Sequence, residues 1–247
     1  MTHALPFDLE GHCASCPIRH RAVCSRCDAE ELARMNELKF YRTYSPGQTV
    51  ALRGETLDFV ATVVQGTATL ERVTEDGRTQ IVGILLPSDF LGRPGRDGLS
   101  YDVMAVNEVK LCCFRRKPFE SLLDDVPHLQ ERLLDMTLDE LDAARDWMLL
   151  LGRKTAREKI ASFLVLLANR CDQLNGGKTR GSRHFDLPVS REAIANFTGL
   201  TIETVSRQIS ILRREQLISL DGVRKVTVPD SAALRRAAGD DDINALN

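Results

Sequence analysis

No stretch of this 247-residue chain holds about 18 uninterrupted apolar residues, the run a helix needs to cross a bilayer. The N-terminal run Met1–His12 lacks the basic region and apolar stretch of a secretory signal. These absences lead us to expect a soluble, cytoplasmic protein with no membrane partner. A phosphate-binding loop is lacking too. Gly176-Gly177-Lys178-Thr179 has the outline of one, but Asp172 stands where the motif requires glycine, and no strand precedes it. His3, His20, His128 and His184 are scattered, and the single Trp147 falls on a long helical stretch. Nothing here assembles a catalytic constellation, so we expect a protein that is not an enzyme.

Net charge is small at −2, yet it is unevenly spread. Residues 153–229 carry 14 Lys and Arg against 7 Asp and Glu, while the remainder carries 19 against 28. Such a basic segment attracts a polyanion by counterion release, which fits nucleic acid better than a membrane surface.

Four regions separate on periodicity. Residues 1–29 contain two CxxC pairs and little amphipathic pattern, so we expect order there only if something ties the segment down. A short helix begins near Glu30. Between residues 38 and 114 the runs Thr49–Leu52, Val60–Val64, Thr67–Val73 and Gln80–Leu86 are separated by turns at Pro46-Gly47, Gly66 and Asp76-Gly77. Short strands with regular turns read as a sandwich or barrel, here residues 30–125. From Val126 to Gly152, Leu134, Leu141 and Met148 recur every seven residues, as do Thr137, Ala144 and Leu151, offset by three. That a/d stripe packs either on its own domain or against a second copy, and a long helix between two domains suits a symmetric parallel dimer. We take 126–152 as a dimerisation helix seamed by Leu134, Leu141, Ala144, Met148 and Leu151. Residues 153–247 read as mostly helical, with a hairpin over Leu217–Val228 turning at Asp221-Gly222 and a polar tail.

Within that last region, residues 189–207 have a helix-turn-helix grammar. Ser190 can cap a first helix, Gly199 supplies the turn and Thr201 caps a second. Ala193, Ile194, Phe197, Leu200, Ile202, Val205 and Ile209 would lock the two helices together. Glu203, Ser206 and Arg207 stand at i, i+3 and i+4, one face near the start of the second helix. Arg207 could bond a guanine bidentately while Glu203 accepts from cytosine N4, and Ser206 could touch an adjacent base. A solvated face with a Glu203–Arg207 ion pair is the plainer alternative.

The cysteines need a chemical explanation, because seven of them in a reducing compartment are poor disulfide candidates. Cys13 and Cys16 form one CxxC and Cys24 and Cys27 another, while Cys112-Cys113 ends the β region. Two intervening residues let a tight turn aim both thiolates at one ion or cluster. Only seven residues separate the pairs, short of the spacing usual in a zinc ribbon, so structural zinc is the second choice. Strand alternation puts Val109, Leu111 and Cys113 on one face and Lys110 and Cys112 on the other. Cys171, beside Leu167 and Leu174, reads as a small buried hydrophobe.

The run Gly199-Leu200-Thr201-Ile202-Glu203-Thr204-Val205-Ser206-Arg207 resembles the recognition helix of the CRP/FNR regulators, and the likeness extends over nearly the whole chain. It implies an α+β fold: a jelly-roll-like β-roll, a long dimer helix and a winged helix-turn-helix. It further implies a homodimer that reads an inverted repeat of TTGAT-type half-sites in double-stranded DNA and contacts RNA polymerase. The FNR branch is similar to this chain at its cysteines too, and holds an oxygen-sensitive 4Fe-4S cluster. By matching motifs, Cys13, Cys16 and Cys24, preceded by His12, would be loop ligands and Cys112 the fourth, with the choice between Cys24 and Cys27 open because the gap after Cys16 is wider than usual. A cyclic-nucleotide sensor of this family would carry an arginine after Phe90-Leu91-Gly92-Arg93-Pro94-Gly95. Leu99-Ser100-Tyr101-Asp102-Val103 offers none, so we expect no cyclic nucleotide.

Overall fold

The computed structural model describes residues 13–174 and 182–240, so His12 and the Gly176–Thr179 run lie outside the described residues. The chain divides into two compact units, residues 1–71 with 84–140 and residues 72–83 with 141–247.

The first unit opens with a 3-10 turn at Cys13–Ser15 and a turn-rich loop, followed by helix α1 (Ala29–Leu38). Asp28 starts α1 with a capping box: its carboxylate accepts from the N–H groups of Glu30 and Glu31, and Glu31 accepts from the Asp28 N–H at 2.8 Å. Eight strands follow along the chain, residues 72–83 among them being counted with the second unit: β1 (Lys39–Tyr44), β2 (Thr49–Ala51), β3 (Phe59–Gln65), β4 (Ala68–Val73), β5 (Thr79–Leu85), β6 (Phe90–Leu91), β7 (Asp102–Ala105) and β8 (Val109–Arg115). They make two four-stranded sheets, in the orders β1-β8-β3-β6 and β2-β7-β4-β5. The expected β-roll is thus formed. Its core takes one face of the first sheet, with Phe59, Ala61 and Val63 of β3 and Val109, Leu111 and Cys113 of β8.

Gly66 holds the turn between β3 and β4. Its φ is +88°, and a Cβ there would sit 2.1 Å from the Glu108 carbonyl oxygen. Gly66→Ala should therefore cost about 2 kcal/mol or more, from left-handed strain and backbone collision together. A lowered urea midpoint at unchanged slope would show it.

Helix α2 (Arg116–Asp125) follows β8 and was not legible in the sequence, because it is short and buries only Phe119 and Leu122. Helix α3 (Pro127–Arg153) is the long helix expected over 126–152, and the boundary between the two units falls inside it, after Glu140.

In the second unit come α4 (Ala156–Leu174), β9 (Arg183–Asp186), α5 (Arg191–Thr198), α6 (Ile202–Arg214), β10 (Ser219–Asp221), β11 (Lys225–Val228) and α7 (Ser231–Ala237). The three strands form a small antiparallel sheet in the order β10-β11-β9, the wing beside the two helices. The hairpin expected over Leu217–Val228 supplies two of these strands. The third, β9, lies in a stretch that the sequence pattern reads as mostly helical. Ile160, Phe163, Leu164, Ile194, Val205 and Leu212 are fully buried and make the core of this unit. Trp147 on α3 packs on Phe197 of α5 with ring centroids 4.0 Å apart, and Phe163 of α4 meets the same ring edge-on at 5.4 Å.

No helix among the described residues is long and apolar enough to cross a membrane.

Candidate cysteine site and nucleic-acid interface

The cysteine loop is tied down on two sides. At its start, the Cys13 N–H donates to Asn36 Oδ1 of α1 at 3.2 Å. On α3, Arg132 Nη2 donates to the Arg21 carbonyl at 2.8 Å, and Asp135 pairs with Arg26 at 2.5 Å. Within the loop, Arg19 donates to the Cys27 carbonyl at 3.1 Å. The order that composition made conditional is supplied by these contacts and by burial of Val23 and Cys27 against Leu32, Met35 and Leu129.

Strand β8 carries its two cysteines to opposite faces. Cys113 is wholly buried in the core of the roll, where burial pushes its thiol up to about 12 against the opposing pull of Arg42. Cys112 faces the loop. It is the direct cross-strand partner of Tyr41 on β1 and of Thr62 on β3, so these three side chains share a face.

Loop and strand thiols feel one another. Burial holds the Cys112 thiol well above its ordinary value, and the charges of Cys13, Cys24 and Cys16 raise it further. Cys24 is pushed up to about 12 by burial first, then by Cys16, Cys13 and Cys27. Cys13 is raised by burial, opposed by the ammonium of Lys39, whose Nζ lies 3.8 Å from its sulfur. Tyr41 is raised by burial and by the same four cysteines, Cys112 foremost. Cys27 behaves differently. Its sulfur lies 3.9 Å from Met35 Sδ, and it is raised to about 11 by burial, then by the carboxylates of Glu31 and Asp28. Cys24 is among the groups that act most on Cys112.

Cys13, Cys24 and Cys112, each raised by burial and each acted on by Cys16, make a sulfur-rich donor set to which a cationic group could bind in place of their protons. A single ion fits poorly. Tetrahedral zinc needs thiolates about 3.8 Å apart, and among the described residues no three His, Cys, Asp or Glu side chains converge to hold one metal ion. An iron-sulfur cluster takes one thiolate at each corner and so spans a wider donor set than a single ion does. Beside Cys112, Thr62 Oγ1 is buried with no hydrogen-bond partner among the described residues, and a hydroxyl left so costs about 1–3 kcal/mol unless an acceptor is present. The donor set therefore fits an all-thiolate cluster with sulfur acceptors.

Helix α3 links this site to a free surface. Its inner residues Leu133 and Met136 pack on the cluster of apolar groups that includes Cys13, Cys24 and Cys112. On its outer face, Leu134, Leu141, Met148 and Leu151 are 59%, 45%, 72% and 38% exposed, and Ala144 is exposed with them. A stripe of that size is an unpartnered apolar face on the isolated chain.

The second site lies on α5 and α6. Ser190 caps α5 by accepting from the Ala193 N–H at 3.1 Å. Gly199 ends it in the left-handed conformation, φ 65° and ψ 35°, and Thr201 caps α6 by accepting from the Thr204 N–H. Ile194, Phe197, Val205 and Ile209 lock the pair as expected. Ile202 does not: it is 44% exposed on the first turn of α6, whereas Leu212 further along the helix is fully buried. Cys171 is half-buried rather than buried.

Glu203, Ser206 and Arg207 are all exposed on α6. Glu203 sits at the helix start, where its own backbone N–H and then the Thr201 hydroxyl hold its carboxyl below the usual range. Among the described residues no ion pair joins Glu203 to Arg207, and both side chains stand in solvent. Sequence reasoning missed Lys39, Tyr41, Thr62, Arg132 and Asp135, whose proximity to the site depends on strand register and loop placement.

Comparison with known proteins places this arrangement. Residues 158–237 match the family described as "Crp-like helix-turn-helix domain", and residues 41–126 match "Cyclic nucleotide-binding domain". The chain is 57% identical to the "Transcriptional activator protein FnrL" of Cereibacter sphaeroides, over 99% of this chain and 98% of that protein. It is 40% identical to the "Nitrogen fixation regulation protein FixK" of Bradyrhizobium diazoefficiens over 85% of this chain and 87% of the relative. The structure of FixK2 from Bradyrhizobium japonicum superposes with a TM-score of 0.72 at 30% identity, covering 81% of this chain and 96% of that one. With its β-roll, long helix and winged helix-turn-helix in this order, the chain belongs to the CRP/FNR family of transcriptional regulators.

Proposed function

We propose that the protein is a cytoplasmic, oxygen-responsive transcriptional activator that binds inverted-repeat DNA as a homodimer while a 4Fe-4S cluster is held by Cys13, Cys16, Cys24 and Cys112. The observation that carries the reading is that Cys13, Cys16 and Cys24 of the loop all act on the Cys112 thiol of β8, beside an apolar cluster that Leu133 and Met136 of α3 pack against. The 57%-identical relative, named as a transcriptional activator, supports the direction of control.

The chain's own residues perform the coupling. Arg132 and Asp135 fasten the loop to α3, so the position of the loop bears on Leu133 and Met136, and through them on the outer stripe. A cluster held there would supply an oxygen-labile tie between the loop and β8. With loop and strand fixed, the stripe from Leu134 to Leu151 is presented to a second copy, and two copies offer two α6 helices to a two-fold operator. Arg207 and Glu203 would then read the G·C pair of a TTGAT-type half-site, with Ser206 on a neighbouring base. RNA polymerase is the expected further partner.

Cyclic nucleotide is left out of this reading. The segment that would bind it is tied to α2, with the Gly95 N–H on Glu120 at 2.8 Å and Arg116 on Asp97 at 2.7 Å.

Titration of a TTGAT inverted repeat with air-free and aerated protein tests the proposal, and equal affinity would refute it. The seam has its own test. Leu141→Glu places two carboxylates across a two-fold contact and should weaken dimerisation about 100-fold or more. Sedimentation of the air-free variant should show monomer at concentrations where the parent is dimeric.

A further inference from the structure

We propose that Lys39 and Thr62 are positioning residues of the cysteine site, outer hydrogen-bond donors that bear on its sulfur atoms and raise its reduction potential. The inference rests on the iron-sulfur reading above and goes beyond the ligands themselves.

Lys39 is held in place. Asn36 Oδ1 accepts from its Nζ at 2.7 Å and from the Cys13 N–H at 3.2 Å, so one carboxamide oxygen fixes both the cation and the backbone of the cysteine beside it. The same Nζ lies 3.8 Å from Cys13 Sγ and 5.6 Å from the centre of the Tyr41 ring, the cross-strand neighbour of Cys112. Thr62 flanks Cys112 from β3. Its residue is 3% exposed, and its hydroxyl lacks any partner among the described residues. Buried hydroxyls are almost always bonded, so an unsatisfied one beside a thiol that groups with three others points to an acceptor supplied there. A positive charge and a donor hydrogen both favour the more electron-rich state of a thiolate-bound cluster, and hydrogen bonds to sulfur are a main control of its potential.

The test uses full-length, air-free protein carrying Lys39→Met, Lys39→Arg or Thr62→Val. Iron and sulfide content, midpoint potential and the rate of absorbance loss in air are measured for each. We expect parental iron content in all three. Lys39→Met and Thr62→Val should shift to lower potential and bleach several-fold faster, while Lys39→Arg, which keeps the charge, returns towards the parent. In the iron-free protein Thr62→Val should melt no lower than the parent, because the hydroxyl it removes has no partner there. Loaded variants with the parent's potential and bleaching rate would overturn the proposal, as would a Thr62→Val apoprotein that melts markedly lower. A parent protein with no iron would instead sink the underlying cluster reading, and this inference with it.

Discussion

Cys112→Ser will leave air-free protein without iron, monomeric, and weaker on an inverted repeat by about 100-fold or more. Removing that thiol takes away the one contribution from the sheet, so the loop thiols have nothing to bridge to. The size of the effect comes from the dimer: two half-site contacts joined through one seam gain about 100-fold or more over separate ones, and that gain vanishes when the seam opens. Cys24→Ser should behave alike. Cys113→Ala and Cys27→Ser are the informative contrasts, since Cys113 is sealed in the core of the roll and Cys27 packs on Met35. Both should retain iron and operator binding, with losses confined to stability. Iron content and sedimentation on the four variants check the set. Iron retained in Cys112→Ser and lost in Cys27→Ser would reassign the site.

Arg207→Ala is expected to have the next largest effect, and of a different kind. A guanidinium bonded to both acceptors of a guanine is worth about 1–3 kcal/mol per half-site, so a two-fold operator should lose about 2–6 kcal/mol. Discrimination at that base pair should relax, while iron content and dimerisation stay as in the parent. The exposure of Arg207 and the missing ion pair to Glu203 make it available for this contact. Titration of operators altered only at the G·C pair gives the answer. A uniform loss on every sequence would make Arg207 a phosphate contact instead.

Much of this was legible in the sequence because it rests on local rules. The caps at Ser190 and Thr201 and the left-handed turn at Gly199 depend on short-range hydrogen bonds and backbone sterics, and they appear where spacing put them. Alternation along β8 separated Cys112 from Cys113 for the same reason. What depended on register or long-range placement was hidden. Thr62 and Tyr41 flank Cys112 only because β8 lies between β1 and β3, an order that no local pattern encodes. The choice between Cys24 and Cys27 depends on how the loop seats against α1 and α3, which places the Cys27 sulfur 3.9 Å from Met35 Sδ. Ile202 follows the apolar pattern yet is 44% exposed on the first turn of α6.

The central claim is that four thiols hold one iron-sulfur centre whose integrity sets subunit pairing. Protein purified without air should contain iron and acid-labile sulfide in equal amounts, about four of each per chain, and sediment as a dimer. Admitting oxygen to the same sample should bleach it and yield monomer in step with the loss. Air-free protein with no stoichiometric iron, or a dimer that persists unchanged after complete bleaching, would contradict the account.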